Sequence, residues 1–213
     1  MKSVVAALAL VFLAYTQVDA DLKSEASNKL GELKKKVDGK YESFDKNQKK
    51  WQKEVFDAVG KYDKETVEEI DKENGRLNEA LKGIAGKNAG CVEQHKKDLE
   101  KATNKAKTFY TCSSQIAAST ERNIGQLQNQ ASAAQSQVQA FEDRIKGCEG
   151  NEGCLKSTVE SIKKSDIPKR LDDLKKQAKD LTDGKKKELL KCANVEEYKK
   201  KGEDILKKAK SCA

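Results

Sequence analysis

Hydrophobic residues in the first third of the chain recur in steps of four, four and three, which repeats every eleven residues. One series is Leu22, Leu33, Phe44, Val55, Thr66 and Leu77, and a second is Ala26, Val37, Gln48, Val59, Ile70 and Leu81. Such a repeat corresponds to about 3.67 residues per turn and keeps one helical face nearly straight. The pattern predicts a long amphipathic helix over residues 21–90, ended by the glycine-containing segment 86–90.

A second stretch, residues 91–146, has apolar residues in steps of three and four, which is typical of a heptad seam. The seam consists of Val92, His95, Leu99, Ala102, Ala106, Phe109, Ser113 and Ile116, then Ile124, Leu127, Ala131, Ala134, Val138, Phe141 and Ile145. Between Thr111 and Phe141 the only charged residues are Glu121 and Arg122. An uncharged polar helix face of that length is either covered by a neighbouring helix or available to a partner.

The third stretch begins after the glycine-rich segment 147–154 and carries its own apolar stripe to the C-terminus. Pro168 interrupts it, and Asn194 with Glu197 forms a capping pair at a second break. Strong helix formers throughout, a single proline and few aromatics argue against a sheet. Short connections make neighbouring helices antiparallel. We therefore predict an all-α fold, an elongated antiparallel three-helix bundle or coiled-coil rod.

The first twenty residues have the layout of a secretory signal peptide. Lys2 precedes an apolar run over residues 4–13. Val18 and Ala20 occupy positions −3 and −1 of a cleavage site before Asp21. The run is shorter than the roughly 20 residues that a membrane anchor needs, so we expect no transmembrane anchor. We expect a secreted, extracellular chain starting at residue 21, in an oxidising compartment where disulfides persist.

Six cysteines allow fifteen pairings, and the antiparallel arrangement narrows them. In a hairpin that turns at residue 151, facing residues have numbers that sum to about 302. That relation predicts three nested bridges: Cys148 with Cys154, Cys112 with Cys192, and Cys91 with Cys212. The local alternative Cys91–Cys112 would span about 31 Å along one helix. On an unbroken helix, Cys154, Cys192 and Cys212 would not lie on one face. The nested set therefore requires the chain to change its rotation at the breaks at Pro168 and Asn194. We therefore predict that residues 91–213 form a disulfide-stapled helical hairpin.

This cysteine layout is similar to that of secreted insect proteins of the TsetseEP type. The similarity rests on two cysteines about twenty residues apart with aromatics before the second, a close pair, and two final cysteines about twenty apart, over residues 91–212. The residues are Cys91, Phe109, Tyr110, Cys112, Cys148, Cys154, Cys192 and Cys212. The resemblance implies a gut, haemolymph or other secreted insect protein, and it carries over no catalytic residue. This chain differs in its abundant lysine and its extension over residues 21–90.

Candidate chemistry is sparse. His95 is the only histidine and lies on the apolar stripe, so we interpret it as a packing residue rather than a ligand or base. Oxidised cysteines leave no nucleophilic thiol, and carboxylate pairs such as Glu68–Glu69 and Asp172–Asp173 lie among lysines on predicted solvent faces. We expect no enzyme activity, no catalytic residue, no cofactor and no metal site.

The charge is distributed unevenly. The chain has 43 Lys+Arg against 35 Asp+Glu, a net charge of +8, and residues 155–213 hold 18 basic and 11 acidic residues. The candidate polyanion-binding residues are Lys175, Lys176, Lys185, Lys186, Lys187, Lys199, Lys200 and Lys201. Their ligand would be an extracellular polyanion, such as a glycosaminoglycan, or a microbial or host surface. Lysine with hardly any arginine and without interleaved aromatics argues against specific nucleic-acid binding, and a solvated lysine face is the simpler alternative.

The sequence favours a secreted, non-enzymatic binding or interaction protein that engages an anionic ligand through its lysine-rich C-terminal stretch. One alternative is an apolipoprotein-like lipid-binding carrier, since eleven-residue periodicity lets an amphipathic helix lie on lipid. Another is a structural secretory component that self-associates as a coiled coil.

Overall fold

In a computed structural model, the backbone is described for residues 2–84, 88–148 and 151–212, and the side chains for residues 20–84, 88–148 and 151–212. The described residues form six helices: α1 (Lys2–Ile84), α2 (Ala89–Ala106), α3 (Phe109–Gly147), α4 (Glu152–Lys163), α5 (Ile167–Leu189) and α6 (Val195–Lys210). They contain no strand, which confirms the all-α class. Residues 1–19 of the predicted signal peptide lie outside the described side chains, and residues 85–87 and 149–150 of the predicted connections lie outside the described residues altogether.

The chain divides into two compact units. Unit 1 comprises residues 1–49 and 124–178, and unit 2 comprises residues 50–123 and 179–213. Helices α1, α3 and α5 each contribute residues to both units. Within the described ranges, no helix combines the length and the apolar character needed to cross a membrane.

The eleven-residue series of α1 confirms the predicted amphipathic helix. Leu33, Phe44, Val55, Thr66 and Leu77 are all buried. In the second series the two members at the centre, Gln48 and Val59, are half-buried, whereas the other four are buried. Burial repeats every eleven residues because that spacing returns a side chain to nearly the same side of the helix.

In unit 1 the amide side chains of α3 bind α1. Gln128 donates a hydrogen bond to the Tyr41 hydroxyl (3.1 Å), and Tyr41 shares another with Ser132 (3.1 Å). Gln135 donates to Asp38 at 3.2 Å. The opposite side of this uncharged segment is exposed and consists of Gln126, Asn129, Gln130, Ala133, Ser136, Gln137 and Ala140. The uncharged segment is therefore covered by α1 on one side and exposed on the other.

Unit 2 is built around the packing of α2 against α6 and of both against α1. Its main core cluster includes Ile70, Leu77 and Leu81 from α1, Val92, Leu99 and Ala102 from α2, and Tyr198, Ile205, Leu206 and Ala209 from α6. A smaller cluster joins Val55, Ile116 and Leu189. Apolar burial on this scale is the main force that holds such helices together.

Three disulfides are present: Cys91–Cys212 and Cys112–Cys192 in unit 2, and Cys148–Cys154 in unit 1. Their Cα–Cα distances are 5.9, 5.5 and 5.4 Å, within the usual range for a bridge. These pairs are the ones that the nested arrangement predicts. The predicted breaks are present as well, since α4 ends before Pro168 and Asn194 caps α6.

Candidate functional site

The candidate site lies in unit 2, where two interruptions of helical structure face one pocket. On one side, α2 ends at Ala106 and α3 begins at Phe109. The Thr108 hydroxyl donates a hydrogen bond of 2.7 Å to the Lys105 carbonyl there. The heptad pattern of residues 91–146 did not indicate this break.

On the other side, α5 ends at Leu189 and α6 begins at Val195 with Asn194 as its N-cap. The Asn194 side chain accepts a hydrogen bond from the Glu197 backbone N–H (2.9 Å) and donates one to the Glu197 carboxylate (3.1 Å). The predicted capping pair is therefore present, and it binds the Glu197 carboxylate at the start of the helix.

The pocket between these breaks has a volume of about 160 Å³. Its apolar lining comes from Ala102, Ala106, Phe109 and Tyr198. Phe109 and Tyr198 are buried, with 3 and 4 % of their surface exposed. An apolar cavity of about 150 Å³ accommodates benzene, so this pocket matches one ring or an aliphatic group of similar size.

The segment between α5 and α6 is held in place by several contacts. The Ala193 N–H donates a hydrogen bond of 2.8 Å to the Tyr62 hydroxyl, and Cys192 is bridged to Cys112. The Tyr62 ring meets Phe109 edge to face, with ring centroids 6.0 Å apart. The wall of the pocket is therefore attached both to α1 and to α3.

Tyr198 connects the pocket to the core of unit 2. Its hydroxyl shares a hydrogen bond of 2.9 Å with Thr103, whose hydroxyl also lies 2.9 Å from the Leu99 carbonyl and 3.1 Å from the Asn74 side chain. Burial raises the pKa of Tyr198, and the hydrogen bond with Thr103 opposes that rise. The phenol is therefore neutral at physiological pH. Its hydrogen bond with Thr103 holds the ring in place as one wall of the pocket.

Two lysines stand at the rim of the pocket, Lys105 from α2 and Lys201 from α6. Both are exposed, and neither forms an ion pair with a described residue. Glu197 also lines the pocket, and its carboxylate accepts a hydrogen bond from Asn194. The pocket therefore carries two ammonium groups and one carboxylate beside the rings of Phe109 and Tyr198, and its net positive charge suits an organic anion.

The eight lysines that the sequence predicts as polyanion-binding residues do not form one exposed basic surface. Four of the eight are half-buried and engaged within their own unit. Lys175 donates to Ser43, Lys185 pairs with Glu188, Lys186 with Glu54, and Lys199 with Glu69 and Glu196. Lys176, Lys187, Lys200 and Lys201 are exposed.

Ion pairs with acidic residues of α1 offset part of the excess positive charge of the C-terminal stretch. Of the 18 basic side chains in residues 155–212, five are half-buried, whereas all 11 acidic side chains are exposed. Lys200 and Lys201 also follow Glu196 and Glu197 by four residues, the spacing at which opposite charges attract on a helix. A strip of like charge is therefore interrupted along α6.

His95 is half-buried, as the apolar stripe suggests, but it lies beside the Cys91–Cys212 bridge. These three residues form a cluster with metal-ligating side chains, and Cys91 precedes His95 by four residues, one helical turn. The sequence shows the spacing of Cys91 and His95, but only the fold brings Cys212 beside them.

Comparisons with protein-family models, with curated proteins and with solved structures give no match for this chain. The resemblance to the TsetseEP type therefore stays a hypothesis based on cysteine spacing.

Proposed function

We propose that the protein is a secreted, non-enzymatic binding protein whose ligand is a small organic anion held in the unit 2 pocket. The observation that carries this proposal is the pair of unpaired lysines, Lys105 and Lys201, at the rim of a pocket lined by Phe109 and Tyr198. Secretion is supported by the sequence of the first twenty residues and by three disulfides.

The pocket favours a ligand with one charged group and one ring-sized apolar group. The volume limits the apolar group, and the two ammonium groups supply charge-assisted hydrogen bonds to a carboxylate or sulfate. A long polyanion is less well supported, because acidic side chains interrupt the exposed lysines of α5 and α6. The proposal keeps the anionic ligand that the sequence predicts. Of the eight candidate lysines it keeps only Lys201 as a binding residue, and it adds Lys105.

The lipid-carrier and self-association alternatives stay predictions. The apolar series of α1 is largely buried within the two units, so binding lipid through that face would first require the helices to separate. No described contact favours that opening.

Benzoate tests the proposal, with benzyl alcohol as a neutral ligand of the same shape and acetate as an anion without the ring. Titration of the isotopically labelled oxidised chain, followed by NMR, should show benzoate shifting the amides around Ala102, Phe109 and Tyr198. Benzyl alcohol and acetate should bind more weakly. Added salt should weaken benzoate binding, because it screens exposed charges.

Variants of the rim lysines identify the site. Lys201→Met and Lys105→Met should each weaken benzoate binding at least about fivefold, through loss of a charge-assisted hydrogen bond. Lys200→Met is the matched control, because Lys200 is the exposed neighbour of Lys201 and does not line the pocket. Equal affinities for benzoate and benzyl alcohol, or equal effects of Lys200→Met and Lys201→Met, would refute the proposal.

A further inference from the structure

The Cys91–Cys212 bridge and His95 bring three metal-ligating side chains together in unit 2. Cys91 is the third residue of α2, His95 follows one turn later, and Cys212 lies just beyond α6. One donor atom from each residue lies within 4.8 Å of the other two. All three side chains are half-buried, so solvent and ions reach them.

The imidazole of His95 is available as a ligand. Its Nδ1 atom is buried and has no hydrogen-bond partner among the described residues. The Asp98 carboxylate lies 3.8 Å from that atom, too far for a hydrogen bond. A buried imidazole nitrogen without a partner is unusual, because buried polar atoms are nearly always hydrogen-bonded. This atom therefore requires an explanation beyond packing.

We propose that Cys91, His95 and Cys212 form a latent zinc site, closed as a disulfide in the oxidised chain and opened by a dithiol reductant. The dithiol transfers two electrons to the bridge, whose S–S bond breaks to give two protein thiols, while the reductant becomes a cyclic disulfide. Zn²⁺ then displaces both thiol protons and binds two thiolates and the imidazole. Water occupies the fourth position, as in other zinc sites with three protein ligands.

Zinc geometry requires the two sulfurs to move apart after reduction. Zn–S and Zn–N bonds of about 2.3 and 2.1 Å place tetrahedral donors about 3.5–3.8 Å apart. The imidazole donor lies within 4.8 Å of both sulfurs, whereas the sulfurs are bonded to each other in the oxidised chain and must separate by about 1.7 Å. The Cys91 backbone N–H donates to the Asn88 side chain (3.2 Å), so Cys91 lies in the first turn of α2. A helix N-terminus favours the thiolate form that metals bind.

The chain contains a matched bridge without the imidazole. Asn151 caps α4 as Asn88 caps α2, and its side chain accepts a hydrogen bond of 2.9 Å from the N–H of Cys154. Thr158 follows Cys154 by four residues, the position that His95 holds after Cys91. The Thr158 hydroxyl donates to the Cys154 carbonyl at 2.8 Å, and the described residues place no histidine beside the Cys148–Cys154 bridge.

The test uses the full oxidised chain, treated with excess dithiol, freed of reductant without oxygen and then given Zn²⁺. Alkylation of free thiols followed by peptide mass mapping identifies the protected cysteines. Zn²⁺ should protect Cys91 and Cys212, and it should leave Cys148 and Cys154 reactive. In competition with a chromophoric chelator, His95→Gln should lower the zinc affinity at least about tenfold, whereas Thr158→Val should leave it unchanged.

The protection pattern of the unmutated chain decides the question even if a variant folds poorly. Equal protection of all six thiols, or no protection of Cys91 and Cys212, overturns the proposal. Equal zinc affinities of the His95→Gln and unmutated chains overturn it as well. Circular dichroism reports whether the reduced chain keeps its helices, and a chain that loses them and binds zinc regardless of His95 counts against a preformed site. None of these outcomes depends on binding of benzoate.

Discussion

The side chain of Leu77, on α1, lies against the backbone of Gly202, on α6, in the space that a Cβ atom at position 202 would occupy. Leu77 is fully buried in the core of unit 2, so its neighbours restrict its movement. Gly202→Ala should therefore lower the free energy of unfolding by about 1–3 kcal/mol through overpacking, although alanine is the better helix former. Chemical denaturation of the oxidised chain measures the change.

Gly75→Ala is the control for this substitution. Gly75 is exposed on α1, and nothing lies within 4 Å of a Cβ atom added there. The variant should gain about 0.4–1 kcal/mol, because alanine restricts the unfolded chain and favours the helix. If both variants were stabilised alike, the close contact of α6 with Leu77 would be wrong.

Tyr198 should ionise at a higher pH than an unfolded tyrosine. Burial raises its pKa, so the neutral phenol stabilises the folded chain below the pKa of an unfolded tyrosine. That contribution is lost as the pH rises through the higher pKa of the folded state. An alkaline titration followed by tyrosinate absorbance should show a late step that Tyr198→Phe removes. Tyr110→Phe, at an exposed ring, should keep the late step; a late step that survives Tyr198→Phe would contradict the assignment.

The ion pair of Lys186 with Glu54 should be visible at acid pH. A hydrogen bond of 2.6 Å from Lys186 is the main cause that lowers the pKa of Glu54. The stabilisation is therefore present above the pKa of an unfolded glutamate and is lost as the pH falls through the lowered pKa. Lys186→Met should return the Glu54 pKa toward its ordinary value, at a cost of about 0–1 kcal/mol because both groups are partly exposed.

Carboxyl-carbon NMR over an acid titration follows Glu54 directly. Lys187→Met serves as the control, since Lys187 is exposed and next in sequence. A Glu54 pKa that responds equally to both substitutions would mean that the general positive charge of the chain, rather than the hydrogen bond, lowers it.

The disulfides should differ in their contribution to stability. The Cys112–Cys192 bridge has a sequence separation of 80, and the Cys148–Cys154 bridge has one of 6. Serine pairs should lower the free energy of unfolding by up to about 4 kcal/mol for the first and about 2 kcal/mol for the second, because a longer closed loop restricts the unfolded chain more. Thermal unfolding of the two double variants compares them, and a larger loss for Cys148–Cys154 would contradict this account.

Periodicity in the sequence predicted the long helix α1, the helical character of the other two stretches and much of the core, but not the end of α1 at Ile84 or the division of residues 91–146 into α2 and α3. Leu33, Phe44 and Val55 follow one another on a single face, and a repeating spacing alone determines which side of a helix they share. The nested cysteine pairs also followed from spacing, because an antiparallel arrangement fixes which residues face each other. Both predictions depend on distances along the chain rather than on any particular neighbour.

The charged residues and the pocket could not be predicted in the same way. Lys186 and Lys187 are adjacent lysines, yet only Lys186 forms an ion pair with a carboxylate of α1. The rotation of α5 about its own axis decides which of the two faces Glu54. The break between α2 and α3 falls inside a continuous heptad pattern, so the spacing of apolar residues does not reveal it. The four-residue spacing of Cys91 and His95 can be read from the sequence. Cys212, the third residue of this metal-ligating cluster, lies beside them only because of the fold.

The uncharged segment of α3 has a consequence for digestion. Residues 123–143 contain neither lysine nor arginine, although such residues recur at short intervals in most of the rest of the chain. An endoprotease that cleaves after basic side chains therefore has no cleavage site there, even though one side of the helix is exposed. Such an enzyme would release residues 123–144 as one intact peptide, so the amide-rich part of α3 should survive as the longest fragment of unit 1.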